Sequence, residues 1–169
     1  MILLQPWAQA DIETLKRTVG DATMMQHLGG VENEQQMLVR HARYLALEVP
    51  GGMFTIRDRE TTEIVGTVGF WARTWHDHDV YECGWMVFPE WSGRGIASVA
   101  GRAIVARARA TNLHRFMHAF PAVENAASNR VCESVGFTDF GPCSFEYPRG
   151  SFMQSNDWRV DLHDKAASS

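Results

Sequence analysis

The sequence has only three cysteines in 169 residues, Cys83, Cys132 and Cys143, widely spaced and odd in number. No CxxC pair occurs, so neither a disulfide framework nor a zinc knuckle is indicated. No apolar run reaches the length needed to cross a bilayer. The opening, MILLQPWAQADIETL, has no basic start and meets Asp11 and Glu13 early, unlike a secretory leader. These absences predict a cytoplasmic protein with no membrane role. A net charge of −4 argues against a general nucleic-acid binder.

Acid is also missing locally. Residues 91–123 hold no Asp or Glu, yet they carry Arg94, Arg102, Arg107, Arg109, Arg115, His114 and His118. A basic segment in an acidic chain suggests a local anion site. Each arginine taken alone is equally a solvated helix face.

No repeat, linker or low-complexity stretch is present, and the length fits one domain over residues 1–169, with the last few residues expected to be disordered. ILLQPW reads as a short strand ended by Pro6. QADIETLKRTV and ENEQQMLVRHARYLAL read as helices, the second stopped by PGG at 50–52. MFTIRD at 53–58 and EIVGTVGFW at 63–71 read as a hairpin. TWHDHD at 74–79 reads as a polar loop, and VYECGWMVF at 80–88 as a further strand. A helix follows to about Ala110, with Ile96, Val99, Ala100, Ala103 and Ile104 on its apolar face. HRFMHAF is a strand, and NAASNRVCESV is a helix closed by Gly136. Phe137–Phe140 reads as a short strand, FEYPRG as a turn and DWRVDLH as the last strand. The predicted order, β-α-α-β-β-β-α-β-α-β-β, is a mixed α/β domain around one sheet.

EWSGRGIASVA, residues 90–100, joins a strand to a helix. The first N–H groups of a helix lack intrahelical partners and carry partial positive charge, which suits an anion. Gly93 and Gly95 remove Cβ atoms, and Arg94 adds charge. A ligand-free tight turn fits the same three residues. A nucleotide P-loop is excluded because no Lys-Ser or Lys-Thr follows, and the dinucleotide fingerprint lacks both its third glycine and its acidic residue.

Gly93-Arg94-Gly95-Ile96-Ala97 after WMVFPE resembles the acetyl-CoA loop Arg/Gln-x-x-Gly-x-Gly/Ala of the GCN5-related N-acetyltransferase (GNAT) superfamily. Ser92 stands at the Arg/Gln position. NAASNRVCESVGF resembles the family's Asn-x-x-Ser…Glu-x-x-Gly-Phe helix through Asn125, Ser128, Glu133, Gly136 and Phe137. LLQPWAQADIETL, EIVGTVGF and YECGWMVFPEWSGRGIA resemble the branch that acetylates ribosomal-protein N-termini. The resemblance covers most of residues 1–140.

The resemblance implies a single-domain α/β GNAT fold, with a mixed, mostly antiparallel sheet whose fourth and fifth strands splay apart. It implies acetyl-CoA as co-substrate and no metal. Pantetheine would meet the backbone of Met86 and Val87. Pyrophosphate would meet the N–H groups of Gly93, Arg94, Gly95, Ile96 and Ala97, with Ser98 adding a hydroxyl. Asn125, Ser128, Asn129 and Cys132 follow i, i+3, i+4, i+7 and form one stripe, which is a solvated face on pattern alone. The family turns it toward the cofactor, with Asn125 on a pantetheine amide, Asn129 beside it and Arg130 reaching phosphate. Cys132 stands where many members carry a tyrosine acid, so Cys132 and Ser128 are the candidate acids. Glu82 is the first candidate base, its pKa expected to be raised by half-burial, while His76, His78 and His118 remain open.

His76-Asp77-His78-Asp79 has metal-ligating types, but adjacent loop residues rarely close a tetrahedral site. Some of Trp71, Trp75, Tyr81 and Trp85 are expected to wall an acceptor pocket. The implied acceptor is a primary amine, either a protein N-terminus or a small molecule, and the chain is compatible with a homodimer. The competing reading is a non-catalytic acyl-CoA-binding module on the same fold.

Overall fold

The computed structural model describes residues 1–47 and 50–164. The expectation of a disordered end concerns 165–169, which lie outside the described residues. Strand β1 (Ile2–Pro6) leads through a 3-10 turn into α1 (Ile12–Val19), a one-turn α2 (Ala22–Met25) and α3 (Glu34–Leu45). Strands β2 (Gly52–Asp58), β3 (Ile64–Trp75) and β4 (His78–Val87) follow, then α4 (Ile96–Thr111), β5 (Phe116–Ala119), α5 (Ala126–Val135), β6 (Thr138–Glu146) and β7 (Phe152–Asp161). The order matches the sequence expectation apart from α2, which is too short for periodicity to reveal.

The strands form one sheet in the order β1-β2-β3-β4-β5-β7-β6. Every neighbouring pair is antiparallel except β4 and β5. Alternation along β2 shows the layering: Met53 joins a core with Trp7, Leu15, Val19, Met37 and Tyr44, while Phe54 joins one with Ile104, Val105 and Met117. Successive side chains point to opposite faces, so α1 and α3 cover one face, and α4 and α5 the other.

Three expectations are corrected. Residues 74–79 are not a loop: β3 and β4 continue to a two-residue turn at His76 and Asp77, flanked by the Trp75–His78 pair. Both turn residues have positive φ, 47° and 62°, the pattern of a tight hairpin turn that usually selects Asn-Gly or Asp-Gly. The buried face of α4 is Ala100, Gly101, Ile104, Val105 and Ala108, and Val99 is exposed. A Cβ at Gly101 would lie 2.8 Å from Val135 Cγ2, so that glycine lets α5 pack closely against α4. The closing strands are much longer than read. Strand β6 is the sheet edge, where Pro142 is tolerated beside the register shift between Asp139 and Pro142.

Candidate active site

Strands β4 and β5 pair at only two positions, Tyr81 with Met117 and Glu82 with His118. From Cys83 to Val87, β4 has no strand partner on that side among the described residues, while its other edge stays paired with β3 to Val87. Gly66 on β3 keeps that pairing close, because a Cβ there would collide with the Met86 carbonyl oxygen. The gap opens into a cleft of about 1080 Å³.

One end of the cleft is bounded by the loop before α4. Gly93 and Gly95 have φ of 77° and 73°, with open space where a Cβ would stand. They are glycines because of backbone conformation rather than crowding. Gly95 is the N-cap of α4 and supplies no side-chain acceptor, so the first N–H groups of this 16-residue helix face the cleft uncapped. Ser92, Gly93, Gly95, Ile96, Ala97 and Ser98 line it. Arg94 does not. Its guanidinium bonds the Glu90 carbonyl at 3.1 Å and stacks over Trp91. Ser98 Oγ is hydrogen-bonded to Ser134 Oγ.

The α5 stripe divides on folding. Asn125, Ser128 and Arg130 line the cleft, as do Met86 and Val87 from β4. Asn125 Oδ1 also caps α5, accepting from the Ser128 N–H at 3.1 Å. Asn129 points elsewhere. Its Nδ2 donates to the carbonyls of Ala122 and Asn125, and its Oδ1 accepts from Asn156 and Trp158. Cys132 is fully buried in the core, and burial pushes its thiol pKa far up. The structure therefore removes Asn129 and Cys132 from the cleft wall, because α5 turns those two positions toward β7 and the core.

Glu82 lines the cleft and accepts a hydrogen bond from Arg73 Nη1 at 2.6 Å through Oε2. The Arg73 guanidinium carbon sits over the Phe145 ring, 4.4 Å from its centroid. His118 is buried beside the cleft and donates from Nδ1 to Asp157 Oδ1 at 2.6 Å. His76 and His78 are exposed at the hairpin tip and do not reach the cleft. Among the described residues no group of His, Cys, Asp and Glu is placed to hold a metal ion. Trp71 and Trp85 line the cleft, whereas Trp75 bonds Asp157 and Tyr81 is buried.

Sequence reasoning missed the far wall, built by α3, the loop before it and the β6–β7 turn. Arg40 Nε donates to both Glu32 oxygens at 3.0 Å, and its guanidinium also donates to the Tyr44 and Tyr147 hydroxyls. Burial alone would lower the Arg40 pKa, but the bond to Glu32 and the nearby phenols outweigh it, and the net shift is upward. A Cβ at Gly29 would stand 2.8 Å from Pro148 Cδ, so the loop and the turn meet. Sequence separation hides such a junction: Arg40 and Tyr147 are 107 residues apart.

Comparison with known proteins agrees with this geometry. The family model for the acetyltransferase (GNAT) domain matches residues 1–138. The protein named uncharacterized N-acetyltransferase YoaA, from Bacillus subtilis (strain 168), is 28% identical over 144 residues, covering 83% of this chain and 80% of that protein. Spermidine N-acetyltransferase from Vibrio cholerae, in complex with CoA and spermine, superimposes with a TM-score of 0.76 at 15% identity over 95% of each chain. Ribosomal L7/L12 alpha-N-protein acetyltransferase (RimL), in complex with CoA, gives 0.76 at 18% identity over 95% of this chain and 93% of its own. The ribosomal-protein branch is thus a distant neighbour. The chain belongs to the GNAT acetyltransferase family and is an acyltransferase.

Proposed function

We propose that the protein is an acetyl-CoA-dependent N-acetyltransferase in which a primary amine attacks the thioester directly. The observation that carries this reading is the parting of β4 from β5 beside the uncapped start of α4. The β4 backbone at Val87, on the edge turned away from β3, suits the pantetheine amides, whereas Met86 turns its carbonyl toward Gly66 of β3. The N–H groups of Gly93, Gly95, Ile96 and Ala97 suit pyrophosphate, with the Ser98 hydroxyl and Arg130 alongside. The Asn125 amide nitrogen is free to reach a pantetheine carbonyl, since only its Oδ1 is used by the cap.

Acetyl-CoA supplies the activated acyl group. The amine nitrogen bonds to the acyl carbon, the carbon–sulfur bond breaks, and the amine proton leaves through Glu82. Arg73 occupies Glu82 Oε2, leaving Oε1 to take the proton directly or through water. A β4 N–H near Val87 stabilises the oxyanion. With Cys132 buried, Ser128 is the acid that returns a proton to the CoA thiolate. The acceptor is a small amine rather than a protein N-terminus: the contact of Gly29 with Pro148 and the Arg40–Tyr147 bond narrow the acceptor end.

A thiol-release assay over a panel of small amines and N-terminal peptides tests the reading. The expected result is CoA release that depends on a small amine. Tight calorimetric binding of acetyl-CoA with no release by any amine would instead establish a sensing module.

A further inference from the structure

Among the described residues three carboxylates line the cleft, and two of them are paired with arginines. Glu32 is gripped through both oxygens by Arg40, the two side chains being only 13% exposed. Glu82 is paired with Arg73. Glu146, at the rim, accepts from the Gly150 N–H at 2.9 Å. Arg43 and Arg149 add further positive charge at the same end. Between these pairs the walls are aromatic, with Tyr44, Trp71, Trp85, Phe120 and Phe145 all facing the cleft.

We propose that the acceptor is a primary monoamine on an apolar or aromatic body, and that Arg40 sets this choice by neutralising Glu32. The inference rests on the acetyltransferase reading above. A second ammonium group entering this cleft would lose hydration and meet arginines of like charge, because among the described lining residues Glu32 and Glu82 are each held by an arginine and Glu146 lies exposed at the rim. A single amine arrives near Glu82 and loses its charge before reacting, while its apolar body packs against the aromatic walls. Removing the Arg40 charge would expose Glu32 as an anchor for a second cation.

The test compares 2-phenylethylamine with spermidine at saturating acetyl-CoA, reading released CoA. The wild type is expected to show at least tenfold higher kcat/KM for phenylethylamine. Arg40→Met should shift the ratio toward spermidine by tenfold or more, chiefly through the spermidine KM, and Arg40→Lys should restore the wild-type ratio. Calorimetric binding of acetyl-CoA identifies folded variants. If Arg40→Met fails to fold, the wild-type comparison alone decides the substrate class. Equal or better use of spermidine by the wild type overturns the proposal while leaving acetyl transfer intact. An unchanged ratio in folded Arg40→Met overturns the role of Arg40. Release with neither amine overturns the substrate class, and silence across the wider panel overturns acetyl transfer itself.

Discussion

Asn129 holds Trp158: its Oδ1 accepts the indole N–H at 2.8 Å and, at the same distance, the Asn156 amide. This side chain ties α5 to β7 rather than facing a cofactor. Asn129→Ala would leave two donors without a protein acceptor. The expected loss is about 2–4 kcal/mol of stability, read by urea denaturation. The affinity for acetyl-CoA should change far less than in a variant of Asn125.

On the proposed reading Asn125 has two separable jobs: Oδ1 caps the helix, and Nδ2 would reach the cofactor from the cleft wall. Asn125→Asp keeps an N-cap acceptor but replaces the donor with a negative charge. Its melting temperature should stay close to wild type, while its calorimetric affinity for acetyl-CoA falls tenfold or more. Asn125→Ala should lose both, with about 1 kcal/mol of stability from the cap. Equal affinity in wild type and Asn125→Asp would contradict the contact.

The contrast between these two asparagines marks how far the sequence could be read. Their spacing puts both on one side of a helix, and periodicity gives no rotation relative to β7. Asn125, the N-cap of α5, lines the cleft, whereas Asn129 and Cys132 follow the roll of the helix. Element order was legible because α1, α3, α4 and α5 alternate apolar and polar faces at helical spacing. The His76–Asp77 turn was not, since nothing in that dipeptide supplies glycine, and both residues reach positive φ only because the flanking strands impose it. The Glu32–Arg40–Tyr147 wall was invisible, as its members meet only after the sheet is complete.

Cys132 is a core residue with its thiol held protonated by burial. Cys132→Ala should retain kcat within about twofold and lose about 1 kcal/mol of stability through the missing sulfur. Ser128→Ala, on the same helix but facing the cleft, should lower kcat by tenfold or more with little change in stability. The pair is read by steady-state kinetics at saturating acetyl-CoA. The opposite ranking would return the acid role to the thiol.

Asp157 receives hydrogen bonds from His118 and from Trp75 Nε1. Burial acts to raise its pKa, but these bonds prevail and hold the carboxyl below its ordinary value. The folded state therefore favours the ionised form. That stabilisation is present above the unfolded pKa of about 4 and is lost as pH falls through the lower folded value. Asp157→Asn should be less stable than wild type by about 1 kcal/mol or more at pH 6. The gap should narrow in denaturation curves taken below pH 4 and close once the pH is below the folded value.

The parting of β4 from β5 also bears on how this protein can change over evolutionary time. On the proposed reading, the groups that β4 offers the cofactor between Cys83 and Val87 belong to the main chain, which every amino acid carries. Side chains in that segment are then free to drift without surrendering the cofactor, provided Gly66 keeps β3 close behind them. Trp85, which lines the cleft, sits on such a permissive backbone. New acceptor preferences can be reached there one residue at a time, with the acyl donor held constant.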